Sequence, residues 1–294
     1  MKEISKLLIA YDGSTCSDAA LKDLKRAGLP EHVEAVVMTV ADLIFLPPDD
    51  QLTDDDLISP GAATMVSALQ QEAREALTHA GEIAEQGADR VKKDFPGWTV
   101  SYLAEGEAPT WAVIKAAASL HTDLIVAGAH QHSSLGGRLI MGSVSQRVLY
   151  EADCTVRLAR CSSQREGPVR IVVGFDGATE SDAAVDAVAS RAWPAGSEVR
   201  VVTAGEAAAL GEQQRKLSAA GLQASEVLKH GDPVNVLIHE AKEWGADSIF
   251  VGTRNVHGLR HLLRGSVASA VAARAQCSVE VVRPARSAHE KFGG

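Results

Sequence analysis

Two stretches of this chain carry the residue types, in the order, that hold a phosphate. Residues 123–145 read DLIVAGAHQHSSLGGRLIMGSVS: an apolar run from Leu124 to Ala127 ends on Gly128, a glycine- and serine-rich loop follows, and a helical pattern begins at Gly142-Ser143-Val144-Ser145. Residues 246–269, ADSIFVGTRNVHGLRHLLRGSVAS, repeat the arrangement, with Gly252 in the place of Gly128 and Gly265-Ser266-Val267 in the place of Gly142-Ser143-Val144. A helix N-terminus offers backbone N–H groups that have no partner within the helix. Glycine lets an anion approach them closely. Asp12-Gly13 and Asp176-Gly177 each close an apolar run, a pair that ends strands by shaping a turn.

Other chemistry finds less support. His130 and His132 lack a third ligand at metal spacing, and the acidic cluster Asp49–Asp56 does not follow a calcium-loop pattern. Both read as solvated loop residues. Arg254, His257, Arg260, His261 and Arg264 give the second loop a positive face that suits phosphates, an acidic partner or solvent. There is no Gly-x-Ser-x-Gly elbow, no lysine after a glycine loop and no GxGxxG after the first strand, so no catalytic residue and no metal ligand is assigned.

The elements that must position these residues come twice. KLLIAYDGSTCSDAAL (6–21) aligns with RIVVGFDGATESDAAV (170–185). The offset falls from 164 (Asp12 to Asp176) to 124 (Gly128 to Gly252), so the second copy is 40 residues shorter in its middle. In the first copy the pattern predicts strands at 6–11, 33–40, 99–104, 123–128 and 155–159. Helices are predicted at 15–27, 64–93 with a break near Gly81 or Gly87, 109–121 and 142–152. The second copy repeats the order, with only a short helix at 206–218 after its second strand. Strands alternating with helices predict a doubly wound α/β fold with a parallel sheet in each copy. CSSQREGP (161–168) is the linker between domains 1–162 and 163–294.

Composition narrows the class. At 294 residues the chain suits two domains, and 46% hydrophobic with 4% aromatic residues fits cores of Val, Ile, Leu and Ala. Residues 1–162 carry 23 acidic and 14 basic side chains and the remainder 15 of each, which argues against nucleic acid as a partner. No apolar run is long enough to span a bilayer and the N-terminus shows no leader pattern, so the expected place is the cytoplasm. The four cysteines (Cys16, Cys154, Cys161, Cys277) show no CxxC.

An Asp-Gly closing the first strand, a glycine loop after the fourth, a Gly-Ser-Val helix start and a Cys-x-Val fifth strand together resemble the universal stress protein family, and the duplicated chain is similar to its tandem members. The resemblance implies five-stranded sheets ordered 3-2-1-4-5, joined through the two fifth strands as a pseudo-dimer within one chain, with a further homodimer open. It also implies an adenine nucleotide such as ATP, with Mg2+ on the phosphates. Asp12 and Asp176 would meet the ribose, and Val40 and Ala204 the adenine. Gly128, Gly142, Ser143, Val144 and Ser145 in one copy, and Gly252, Gly265, Ser266 and Val267 in the other, would meet the phosphates.

The family's motif runs Gly, two residues, Gly, nine residues, Gly, then Ser or Thr. Gln131 and Asn255 stand at the middle glycine, and the first loop is one residue longer than the motif. If that position is left-handed, a Cβ there costs about 1–2 kcal/mol, on the order of a tenfold loss in affinity at Gln131, and Asn255 costs less. The resemblance implies a nucleotide-responsive stress sensor or adaptor acting with a protein partner. A non-nucleotide interaction protein with decayed sites is the alternative, and a weak nucleotide hydrolase trails both.

Overall fold

The structure, a computed structural model, describes residues 3–43, 60–129, 132–133, 139–140, 142–160, 166–205, 211–253 and 266–284, with backbone alone at 60–63, 132–133, 139–140 and 266. His130, Gln131, the acidic cluster Asp49–Asp56, Cys161, the basic run from Arg254 to Arg264, Asn255 and Gly265 lie outside the described residues.

Ten strands form one continuous sheet. The first half contributes β1 (Lys6–Ala10), β2 (Glu34–Ala41), β3 (Thr99–Gly106), β4 (Leu124–Gly128) and β7 (Thr155–Ala159). The second contributes β8 (Arg170–Gly174), β9 (Glu198–Ala204), β10 (Gln223–Lys229), β11 (Ser248–Gly252) and β12 (Ser278–Val282). The order is β10-β9-β8-β11-β12-β7-β4-β1-β2-β3. Each half therefore has the expected 3-2-1-4-5 order, parallel throughout, and the two fifth strands meet antiparallel with Glu280 opposite Arg157. A two-residue pair, β5 (His132–Ser133) with β6 (Leu139–Ile140), stands apart in the first glycine loop.

The inner strands are buried on both faces, which is why KLLIA, LIVAG, RIVVG and SIFVG read as unbroken apolar runs rather than alternations. One apolar layer lies on a single face of both halves, beneath α3 (Pro109–Ser119), α4 (Ser143–Glu151), α7 (Pro233–Trp244) and α8 (Ser266–Arg274). On the other face each half has its own layer, under α1 (Thr15–Asp23) and α2 (Pro60–Asp94) in the first and under α5 (Thr179–Ala189) and α6 (Gly211–Ala219) in the second.

Local signals set the helix ends. The Asp232 side chain accepts from the Asn235 amide, Pro233 fills the first helical position, and Gly245 closes α7 at φ +67°, a left-handed conformation that costs glycine little.

The first correction concerns α2. No break occurs at Gly81 or Gly87: the helix runs unbroken for 35 residues. Ala80, Ala84, Ala88 and Val91 recur at helical spacing and are buried on the sheet. Gly87 is the residue that lets this happen, because a Cβ there would lie 2.7 Å from the Tyr11 ring and 3.0 Å from Val37. A glycine read locally as a helix breaker is a socket for an aromatic ring. In the second half α6 begins at Gly211, and residues 206–210 of the expected 206–218 helix lie outside the described residues.

Candidate functional site

In each half the chain turns to one side of the sheet after the first strand and to the other side after the fourth. The switch point lies between β1 and β4 in the first half and between β8 and β11 in the second. Open α/β sheets have a crevice there, at the carboxyl ends of the strands. Asp12 follows β1, Gly128 ends β4 and Val40 lies near the end of β2, so all three come to that edge together with the start of α4. Asp176, Gly252, Ala204 and the start of α8 take the same places in the second half.

Asp12 is exposed, and one of its carboxylate oxygens accepts from the Ser14 amide at 3.0 Å. Asp176 does the same with the Ala178 amide, also at 3.0 Å. Each aspartate thus locks its own turn, and the glycine after it takes a left-handed φ, +73° at Gly13 and +82° at Gly177. Ser14 then caps α1 by accepting from the Ser17 amide.

Gly142 sits in an extended conformation at the N-cap of α4, and its carbonyl receives the Gln146 amide at 2.9 Å. The amides of the first helical residues, Ser143, Val144 and Ser145, have no partner within the helix by construction. Ser143 is exposed at that end, and Val144 packs against the core. Ser145 is buried, and its hydroxyl donates to the Gly128 carbonyl at 3.0 Å, tying α4 to the end of β4. The second half has Ala268, equally buried, at that place. Gly265 lies outside the described residues, as does the side chain of Ser266; Val267 packs on the core.

The strand-end glycines have a structural cause of their own. A Cβ on Gly128 would lie 2.6 Å from the Cys16 carbonyl oxygen, and one on Gly252 only 1.9 Å from that of Glu180. Both neighbours are backbone of the helix that follows the first strand. Glycine is therefore required where α1 and α5 start against β4 and β11, whatever binds nearby.

Sequence reasoning missed a cluster beside this edge. The Tyr11 hydroxyl donates to Asp18 at 2.6 Å, and Arg90 of α2 donates to both. Burial, then the bond to Asp18 and its charge, push the Tyr11 phenol up to about 12. In the second half Phe175 replaces Tyr11, and Gln213 of α6 donates to Asp182 at 2.8 Å. The aspartate recurs in both copies, Asp18 and Asp182, and that recurrence was the one available signal. In each half this aspartate holds the helix that follows the second strand.

As a whole the edge offers helix-end N–H groups and two turn carboxylates. Among the described residues no three His, Cys, Asp or Glu side chains gather to hold a metal ion, and no helix is long and apolar enough to cross a membrane.

Against known proteins, the model of the universal stress protein family matches residues 3–160 and 203–283. Universal stress protein YxiE of Bacillus subtilis is 34% identical over 70 residues, 24% of this chain and 47% of that protein. Universal stress protein A homolog 2 of Coxiella burnetii is 40% identical over 58 residues, 20% of this chain and 39% of that protein. The chain thus spans less than half the length of each curated relative. A universal stress protein structure from Archaeoglobus fulgidus superposes with a TM-score of 0.66 at 19% identity, covering 95% of this chain and 98% of that one, a likeness of fold.

Proposed function

This chain belongs to the universal stress protein family, and from that premise we propose that it is a stress-response sensor or adaptor that binds adenine nucleotide in at least one half. Each half, 1–162 and 163–294, would act as a domain. The observation that carries the reading is the duplicated placement at the switch points. In both halves an Asp-Gly turn, the end of the second strand, a strand-ending glycine and the Ser-Val start of a helix converge on the carboxyl edge of the sheet.

The donor set fits a phosphate chain. The α4 start presents N–H groups beside an exposed hydroxyl, and the helix dipole adds partial positive charge. Ser143, Val144 and Ser145 would hold the phosphates through their amides, Asp12 would accept from the ribose, and Val40 would face the adenine. Asp176, Ala204, Gly252, Gly265, Ser266 and Val267 would do so in the second half. ATP with Mg2+ on its phosphates is the form proposed. Binding would order the glycine loops and shift the population of surfaces offered to a protein partner.

A second reading, an interaction protein that binds no nucleotide, is favoured by one specific finding. Gly128 and Gly252 are required by helix approach, and Asp12 and Asp176 are engaged by their own turns, so their retention does not need a ligand.

The test is direct. Protein purified without added ligand is denatured and any released nucleotide identified by chromatography. ATP and AMP are then titrated into stripped protein by calorimetry, with and without Mg2+. Binding that is lost on Gly142→Val or Gly265→Val supports the nucleotide reading and names the half. No release and no heat at millimolar ATP would refute the nucleotide reading and leave the second to be tested on protein partners.

A further inference from the structure

The seam between the halves is pseudo-twofold, yet its two sides are not interchangeable. Part of it is symmetric. Arg160, just past β7, donates to the carbonyls of Cys277 and Ala272 at the end of α8, and its amide donates to the Ser278 hydroxyl. Arg283, its counterpart past β12, donates to the carbonyls of Cys154 and Leu149 at the end of α4, and its amide to the Thr155 hydroxyl. Such reciprocal caps would serve two copies of either half equally well.

The centre of the seam would not. Arg157 and Glu280 occupy the same place in the two copies, three residues after Cys154 and Cys277, and face each other across the antiparallel ladder. Both are essentially fully buried, and they form an ion pair at 3.3 Å. Asp23 at the end of α1 chelates Arg157 and accepts from the Ser278 hydroxyl of the other half. Arg191 after α5 grips Glu280 and reaches across to donate to the Ala27 carbonyl at 2.7 Å.

Shape follows charge. Trp193 packs on Gly28, where a Cβ would lie 2.8 Å from the indole, and the Ala192 amide donates to the Gly28 carbonyl. The counterparts of Ala27, Gly28 and Leu29 are Arg191, Ala192 and Trp193. Arg26 completes the set by pairing with the buried Asp247 at 2.9 Å, and its own counterpart is Ser190.

We propose that this seam accepts only the unlike half: its fifth-strand surface binds the other half of the same chain, or that half of a second copy by reciprocal exchange, and rejects a copy of itself. Two first halves would bring Arg157 against Arg157 and leave no Arg191 or Trp193 to fill the space at Ala27 and Gly28. Two second halves would bring Glu280 against Glu280, crowd Arg191 against Arg191, and press Trp193 onto the Cβ of Ala192. Buried like charges that lose their cross-seam partner are strongly disfavoured, and overpacking adds to that.

The test cuts the intact chain at a protease site inserted between Cys161 and Glu166, unfolds and refolds the nicked protein together, and weighs the products by native mass spectrometry. The unlike pair is expected alone, with like pairs below about one part in a hundred, a preference of about 2.8 kcal/mol at 1.4 kcal/mol per tenfold. A larger share of like pairs, or halves running as separate monomers, overturns the proposal. A second arm needs no refolding. Arg157→Glu places Glu opposite Glu280, and after cutting the folded variant its halves should part at least a hundredfold more readily than those of the cut parent. Unchanged association would overturn the role of the charge.

Discussion

Replacing Gly252 by alanine measures how closely α5 approaches β11. The added Cβ would lie 1.9 Å from the Glu180 carbonyl oxygen, 2.2 Å from its carbon and 2.8 Å from the Ser181 nitrogen, whereas ordinary contact begins at 3.4 Å. All three are backbone atoms, so no rotamer change relieves them, and the first turn of α5 must retreat by about 1.5 Å. Overpacking of this kind costs about 1–3 kcal/mol, and the size of the overlap puts Gly252→Ala near the upper end. Gly128→Ala, whose Cβ meets the Cys16 carbonyl oxygen at 2.6 Å, should cost about half as much. For a chain this long, 3 kcal/mol corresponds to a drop in Tm of roughly 6–12 °C. Gly211→Ala is the control, since nothing lies within 4 Å of its Cβ position; it should be neutral or gain up to about 1 kcal/mol from lower unfolded-state entropy. The assay is urea and thermal unfolding followed by circular dichroism, on protein stripped of nucleotide. If Gly252→Ala is as stable as Gly211→Ala, or Gly128→Ala suffers more than Gly252→Ala, the argument from helix approach fails.

Three further outcomes are expected. Ser145→Ala removes the bond to the Gly128 carbonyl and should cost about 1 kcal/mol in urea denaturation, converting the position to the alanine that the second half already has. Glu280→Gln leaves Arg191 and Arg157 buried without their shared carboxylate and should cost about 3–5 kcal/mol; a loss under 1 kcal/mol in the same assay would contradict the burial of that charge. The Tyr11 phenol is raised in the fold from 10.0 to about 12, so its contribution to stability is fully present below pH 10 and is lost as pH climbs towards 12. Wild type should therefore lose stability more steeply than Tyr11→Phe across that window, and a spectrophotometric titration should show the late-ionising phenol only in wild type.

The fold was legible wherever local chemistry and tertiary demand agree. Asp12-Gly13 and Asp176-Gly177 end strands because the carboxylate accepts from the amide two residues on and glycine takes the left-handed φ, both short-range events. The strand order 3-2-1-4-5 came from the family resemblance, and the repeat carried it over to the second half, since a sequence that folds one way once folds so again. Gly87 misled because its helix propensity is a local quantity of about 1 kcal/mol, while the Tyr11 ring that needs the space lies 76 residues earlier in the chain. Gly128 and Gly252 were legible as important, but their neighbours Cys16 and Glu180 were not, and those neighbours decide what the glycines are for.

The seam shows why its residues could not be assigned from the chain alone. Arg157 and Glu280 stand mid-strand, where a charged residue ordinarily marks an exposed edge. Two copies of one such strand pair antiparallel about an axis, so a residue at the centre meets its own counterpart, and opposite signs at that one position become a partnered ion pair instead of an edge charge. The clue was thus present as a difference between the copies, arginine in one and glutamate in the other, at a position flanked by residues that repeat in kind: Cys154 and Cys277, Val156 and Val279, Arg160 and Arg283. The same holds for Gly28 against Ala192 and Ala27 against Arg191. Where a duplicated chain folds on itself, repeated residues report what each half needs to fold, and the departures from repetition report how the halves tell each other apart.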